Sequence, residues 1–147
     1  MQYKHAHQQL LRAREAEDGT LKITVVYTSE KATLLAMQKA VALASSLPAK
    51  LRLVYPQIVP YPCPVASPPV LPEFTAKRLR QMASHVALDT DIHVCLCRDR
   101  EDALRAELLP RSVVVLGGRK RWWPTAEKGL ARKLRRAGHE VIFTETE

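Results

Sequence analysis

The chain of 147 residues is about one domain long, and a hydrophobic content of 46% is enough for a buried core, which excludes disorder of the chain as a whole. Lysine and arginine number 23 against 15 aspartates and glutamates, a net charge of +8, and three cysteines, an odd count, argue against a disulfide framework. No apolar run approaches the roughly 18 residues that cross a membrane, and the opening MQYKHAHQQL lacks the apolar stretch of a secretory leader, so a soluble, cytoplasmic protein is expected.

Residues 1–20 are polar, with Tyr3, Ala6, Leu10 and Ala13 at loosely helical spacing before Gly19. They read as a tail or appended helix ahead of a domain over 21–147. Leu21 to Tyr27 is rich in β-branched residues and predicts a strand. Thr28 and Ser29 then offer capping hydroxyls, and Glu30 to Leu47 predicts a helix with Leu34, Met37, Val41 and Ala44 inward, ended by Pro48. Leu51 to Tyr55 is a second strand. Seven of the ten prolines fall between Pro56 and Pro72. Proline removes an amide donor and fixes φ, so this stretch predicts a long, semi-rigid loop rather than helix or central strand. A functional loop and a flap covering a sheet edge are equal readings of it.

Glu73 to Leu88 predicts a helix with Leu79, Met82, Ala83 and Val86 on one stripe, Ile92 to Leu96 a third strand, and Asp102 to Leu109 a short helix. Val113-Val114-Val115-Leu116 is unbroken apolar sequence, the mark of a strand buried on both faces. Thr125 to Ala137 predicts a helix with Ala126, Leu130 and Leu134 inward, and Gly138 suits the left-handed position after it. Val141 to Thr144 closes the chain as a strand. Alternating strands and helices with right-handed crossovers build an α/β fold: a doubly wound, five-stranded parallel sheet in a three-layer αβα sandwich. Ligands on such sheets bind beyond the carboxyl ends of the strands, where the winding reverses. The segments there are Tyr27-Thr28-Ser29, Tyr55-Pro56 and Gly117-Gly118-Arg119-Lys120.

Three stretches resemble the universal stress protein family over roughly residues 21–145. Ile23-Thr24-Val25-Val26 runs into Tyr27-Thr28-Ser29-Glu30 and a long helix. Ser112 to Arg119 looks like the family's fourth strand and glycine turn, and Ala137-Gly138-His139-Glu140-Val141-Ile142-Phe143 like its last helix–strand junction. The resemblance implies strand order 3-2-1-4-5, a homodimer paired through the final strand, no catalysis, and an adenine nucleotide such as ATP, with Mg2+ only alongside ATP. It also implies a pocket with Tyr27, Thr28, Ser29 and Val54 at the base or ribose and Gly117, Gly118, Arg119, Lys120 and Thr125 at phosphate. The sequence departs from the ATP-binding pattern of Gly, two residues, Gly, nine residues, Gly and a hydroxyl. Tyr27 stands in place of the acidic residue, Lys120 in place of the second glycine, and Gly129 is one position early and followed by Leu130. Glycines there let backbone amides reach phosphate unobstructed, so the pocket reads as degenerate.

Other constellations compete with this one. Eight basic residues and a single acid, Glu127, lie between Arg119 and Arg136. With Trp122 and Trp123 they suit an anionic ligand or single-stranded nucleic acid, but the favoured reading is a solvated helix face with the tryptophans packed into the domain or a dimer contact. His93, Cys95 and Cys97 alternate on one strand and share a face, but neighbours about 6.6 Å apart make a poor metal or disulfide pair, and buried core cysteines are expected. Cys63, in the proline stretch, is the more exposed thiol. No Gly-x-Ser-x-Gly elbow surrounds any serine. The reading carried forward is a non-catalytic stress-response or regulatory domain with a degenerate nucleotide pocket. The alternatives are a polyanion-binding module and a pure interaction domain using the tail, the proline stretch and the last strand.

Overall fold

Five parallel strands, β1 (Leu21–Val26), β2 (Ala49–Ile58), β3 (Asp89–Cys97), β4 (Val113–Arg119) and β5 (Glu140–Thr146), form one sheet in the order β3-β2-β1-β4-β5. Between them run α1 (Glu30–Ala44), α2 (Pro72–Ala83), α3 (Arg100–Glu107) and α4 (Ala126–Arg136). The computed structural model describes residues 20–44, 47–122 and 125–147. The expected tail or helix over 1–19, and Trp123, lie outside the described residues.

The pleat sorts side chains into two apolar layers. Ile23 and Val25 of β1, Leu51 and Leu53 of β2 and Val113 and Val115 of β4 meet Met37 and Ala40 of α1 and Leu79 of α2. The alternate residues Val26, Val54, Val114, Leu116 and Val141 meet Leu104 and Leu108 at α3 and Leu130, Ala131 and Leu134 of α4. Burial on both faces is why Val113 to Leu116 is unbrokenly apolar.

Four expectations shift. The buried stripe of α1 is Ala32, Thr33, Ala36, Met37, Ala40 and Ala44, while Leu34 and Val41 lie half-buried at its flanks. Alanines every fourth residue let the helix backbone lie close to the sheet, which leucine and valine would prevent. Strand β2 runs on through Pro56 to Ile58. Val54 O accepts from Tyr27 N (2.9 Å), so Pro56, two residues on, turns its donor-free nitrogen toward β1 where β1 has already ended. Helix α2 stops at Ala83, although Val86 beyond it still packs on the first layer. Ala126 is exposed rather than inward.

Both strand-end glycines of β4 are packing positions. A Cβ on Gly117 would lie 2.5 Å from the Ala32 carbonyl oxygen of α1, and one on Gly118 would lie 2.7 Å from the Phe143 ring tip and 3.0 Å from Glu127 Cβ. Gly138 takes the expected left-handed conformation after α4, with φ of 96°. Beside it His139 Nδ1 accepts from Ser112 N (3.1 Å) and Glu140 N donates to Ser112 O (3.0 Å), which ties the start of β5 to the start of β4.

Two outcomes follow from these contacts. Gly117→Ala forces its methyl onto a backbone carbonyl and lowers stability by about 1–3 kcal/mol, whereas Gly118→Ala, met first by a ring that can turn, costs less; urea unfolding of the two variants checks the order. Burial lowers the His139 pKa from its ordinary 6.5. The folded value therefore lies below the unfolded one, and this contribution is full above about pH 6.5 and is lost as pH falls through the folded value. Between about pH 7.5 and about pH 5, His139→Ala loses less stability than the wild type; an equal loss in both proteins contradicts the assignment.

Candidate functional site

The winding reverses between β1 and β4, and their carboxyl ends sit side by side. Thr28 Oγ1 donates to Gly117 O (2.7 Å) and so bridges the two tips directly. Thr28 N–H donates to Thr33 Oγ1 (3.1 Å), and Ser29 Oγ accepts from Ala32 N (3.2 Å), capping α1. The two hydroxyls expected to cap this helix do divide the work: Ser29 holds the helix start and Thr28 holds the strand tips together.

The structure thus brings Tyr27, Thr28, Ser29 and Gly117 into one place, and leaves other expected site residues apart. The side chain of Val54 is fully buried in the second layer, and its carbonyl is taken by Tyr27 N. Gly117 and Gly118 belong to β4, paired with Thr144 and Glu145, rather than to a loop. Their backbones are shielded by α1 on one face and by Phe143 and Glu127 on the other. Arg119 and Lys120 are exposed just beyond, with Lys120 N donating to Thr146 O (2.6 Å). Thr125 caps α4 by accepting from Lys128 N (3.2 Å). Its helix N-terminus lies after a short connection from Lys120.

A second feature was not expected from sequence. Tyr27 and Tyr55, the residues that follow the paired Val26 and Val54, stack with ring centroids 4.5 Å apart and planes tilted by 39°. Together with Glu30, Thr75, Arg78, Leu79 and Met82 they line a small cleft on the α1–α2 face. Burial pushes the Tyr27 phenol above its ordinary value; Tyr55 adds to this and the Arg78 guanidinium opposes it. The repeated Val-Tyr pair at two adjacent strand ends is the sequence signal that marks the cleft. Thr144 Oγ1 lies buried beside Gly117 without a hydrogen-bond partner among the described residues.

The basic run from Arg119 to Arg136 is partly spent inside the domain. Lys128 reaches Arg121 O and Glu145 (3.8 Å), Lys133 pairs with Glu101, and Arg135 donates to Val141 O (3.1 Å). Glu127, the run's one acid, faces Arg100 at 3.9 Å. His93, Cys95 and Cys97 share a face as expected, but they differ in setting: His93 is exposed, Cys95 half-buried against the second layer, and Cys97 half-buried with Sγ 3.7 Å from Gln57 O. Among the described residues no three His, Cys, Asp or Glu side chains are placed to hold a metal ion, and no helix is long and apolar enough to cross a membrane.

With this geometry in view, the chain can be placed among known folds. It has the fold of the universal stress proteins. A universal stress protein from Archaeoglobus fulgidus superposes with a TM-score of 0.58 over 88% of this chain and 98% of that one, at 12% identity. A universal stress protein in complex with cAMP superposes with a TM-score of 0.54 over 86% and 97%, at 18% identity. No protein-family model matches the sequence, and no curated protein matches it either.

Burial first, then the charge and hydrogen bond of Glu107, push the Cys95 thiol up to about 11, and burial also raises Cys97. Thiolates are the reactive form. In a Cys63→Ser protein the two remaining thiols react slowly with a thiol-specific disulfide reagent at about pH 8, and the Cys95 rate climbs as pH approaches 11. Rapid modification of Cys95 at the lower pH contradicts this environment.

Proposed function

We propose that the chain is a non-catalytic regulatory domain that binds an adenine mononucleotide at the crevice between the tips of β1 and β4. The observation that carries this reading is the adjacency of those tips, bridged by Thr28 and Gly117, next to exposed Arg119 and Lys120. The Tyr27 and Tyr55 rings, 4.5 Å apart and tilted by 39°, offer aromatic contact to a base. Phosphate would meet the Arg119 and Lys120 cations about two strand spacings away, roughly 10 Å, and the capped start of α4 at Thr125.

A single phosphate suits this site better than a triphosphate. The β4 glycines that would otherwise sit in an open phosphate loop are paired with Thr144 and Glu145 of β5, and Ala32, Phe143 and Glu127 pack close against them. Cation side chains are then the main anion contacts, and these can satisfy one phosphate group without a backbone cradle. The complex of a structurally similar protein with cAMP supports an adenine ligand of this size. ATP with Mg2+ is the weaker expectation. β5 occupies a sheet edge, the position that pairing of two copies through the final strand requires.

Calorimetric titration with cAMP, AMP and MgATP tests the reading. The monophosphates bind more tightly than MgATP, and the Arg119→Ala/Lys120→Ala protein binds them about ten-fold more weakly or worse, as loss of charged hydrogen bonds requires. Wild-type affinity in that variant, or no binding of any of the three, refutes the proposal.

A further inference from the structure

The face made by α4 and the segment leading into it carries most of the charge of the chain. Between Arg119 and Arg136 eight basic residues stand against the single acid Glu127, a surplus of +7 in a chain of net charge +8. The apolar side of α4, Leu130, Ala131 and Leu134, is buried in the second layer. The opposite side meets solvent, and its cations sort by how they are held.

Those at the flanks are tied down: Lys128 and Arg135 on the β5 side, and Lys133 to Glu101 on the α3 side. Arg132 and Arg136, in the middle of the solvent face, are exposed and enter no ion pair among the described residues. Cations in the last turn suit the helix dipole. Lys128, Arg132 and Arg136, however, follow one another at intervals of four, and like charges so spaced destabilise a helix. Gly129 belongs to the same face, three residues before Arg132. A Cβ there would meet nothing within 4 Å among the described residues, although glycine inside a helix costs stability relative to alanine. Local stability is thus forgone along this row, which leaves it flat and cationic.

Trp122 supplies an independent observation. Packing into the domain is the reading its size favours, yet it is 92% exposed. Lys128 Nζ donates to the carbonyl of Arg121, the residue before it, so the backbone that carries the ring is held against the start of the cationic row. An exposed ring beside cations matches flat, unpaired bases on an anionic backbone. A duplex keeps its base faces inside the stack, and an acidic peptide has no such faces in series. A lipid surface takes up the apolar side of a helix, and that side of α4 is buried.

We propose that this face binds single-stranded nucleic acid, with a base stacked on Trp122 and the phosphates following Arg132 and Arg136 along α4. From Lys128 to Arg136 the row runs about 12 Å along the helix axis, enough for a short stretch of strand. Recognition is by stacking and charge and so tolerates any base sequence. Trp122, Arg132 and Arg136 are not among the residues assigned to the adenine mononucleotide, so the two readings are tested separately.

Fluorescence anisotropy of the full chain with a labelled oligouridine of about 12 nucleotides, from about 50 to about 200 mM salt, tests the proposal. About four phosphate contacts weaken binding roughly 50-fold over that range. Trp122→Ala weakens it about ten-fold at every salt concentration and leaves the salt slope unchanged, because a stacked base is lost and no charge is. Arg132→Ala/Arg136→Ala lowers the slope by about 1.4, as two lost phosphate contacts require. Lys31→Ala/Lys77→Ala, exposed on α1 and α2 across the sheet, removes the same charge and leaves affinity within about two-fold. All three variants keep the wild-type response to cAMP. No binding at about 50 mM salt overturns the proposal. So does wild-type affinity in Trp122→Ala, or a loss in the α1–α2 pair as large as in the α4 pair. Binding to phosphatidylserine vesicles and not to the oligonucleotide also overturns it and assigns the face to a lipid surface.

Discussion

The close approach of α1 to β4 at Gly117 is the constraint on which the arrangement rests. With the Ala32 carbonyl only 2.5 Å from where a Cβ would sit, no other residue fits at this position without displacing the helix. The alanines at 32, 36, 40 and 44 are the other half of the same fit, since they lower the helix onto the sheet along its whole length. Once α1 is seated there, the turn before it is short. Thr28 then reaches Gly117 O, and the tips of β1 and β4 are held together at the point where the winding reverses. An interior packed to crystal-like density transmits such a local fit across the layer.

This constraint also reinterprets the glycine pair. As bare sequence, two glycines after an apolar strand read as a turn built for phosphate. In the fold they extend β4 and pair with β5, one lying under α1 and the other under Phe143 and Glu127. Glycine is needed there because backbone and side chains come close, which is a different use of the missing Cβ from exposing amides to a ligand. In the proposed nucleotide site, anion contact at this end of the sheet would therefore fall to Arg119, Lys120 and the start of α4 rather than to the glycine backbone.

Much of the fold could be read from the chain because its signals were local and repeated. The apolar run at Val113 to Leu116, the strand–helix alternation and Gly138 each depend on a few adjacent residues. What misled was non-local. On α1 the helical spacing marks Leu34, Met37, Val41 and Ala44; Met37 and Ala44 are buried, but close packing across the layer puts alanines inward and leaves Leu34 and Val41 at the flanks. The proline-rich segment was read as loop from Pro56 onward, yet the neighbouring strand ends before Pro56, so proline costs nothing there. At the candidate site, Tyr27, Thr28 and Ser29 were legible as a strand tip beside a helix cap. Val54 was not, because the pleat turns its side chain into the opposite layer. Tyr55 is legible as a strand tip, but its contact with Tyr27 depends on the parallel register of β1 and β2, which the sequence does not print.

The central claim, that α1 is seated on β4 through Gly117 and so unites the tips of β1 and β4, is open to a direct measurement. Nuclear Overhauser spectroscopy on isotope-labelled protein reports proton pairs within about 5 Å, comparable to one strand spacing. The account predicts cross-peaks from the Gly117 α-protons to protons of Ala32 and Thr33, together with a contact between Thr28 and Gly117. Well-resolved Gly117 resonances that show neither contact would contradict it.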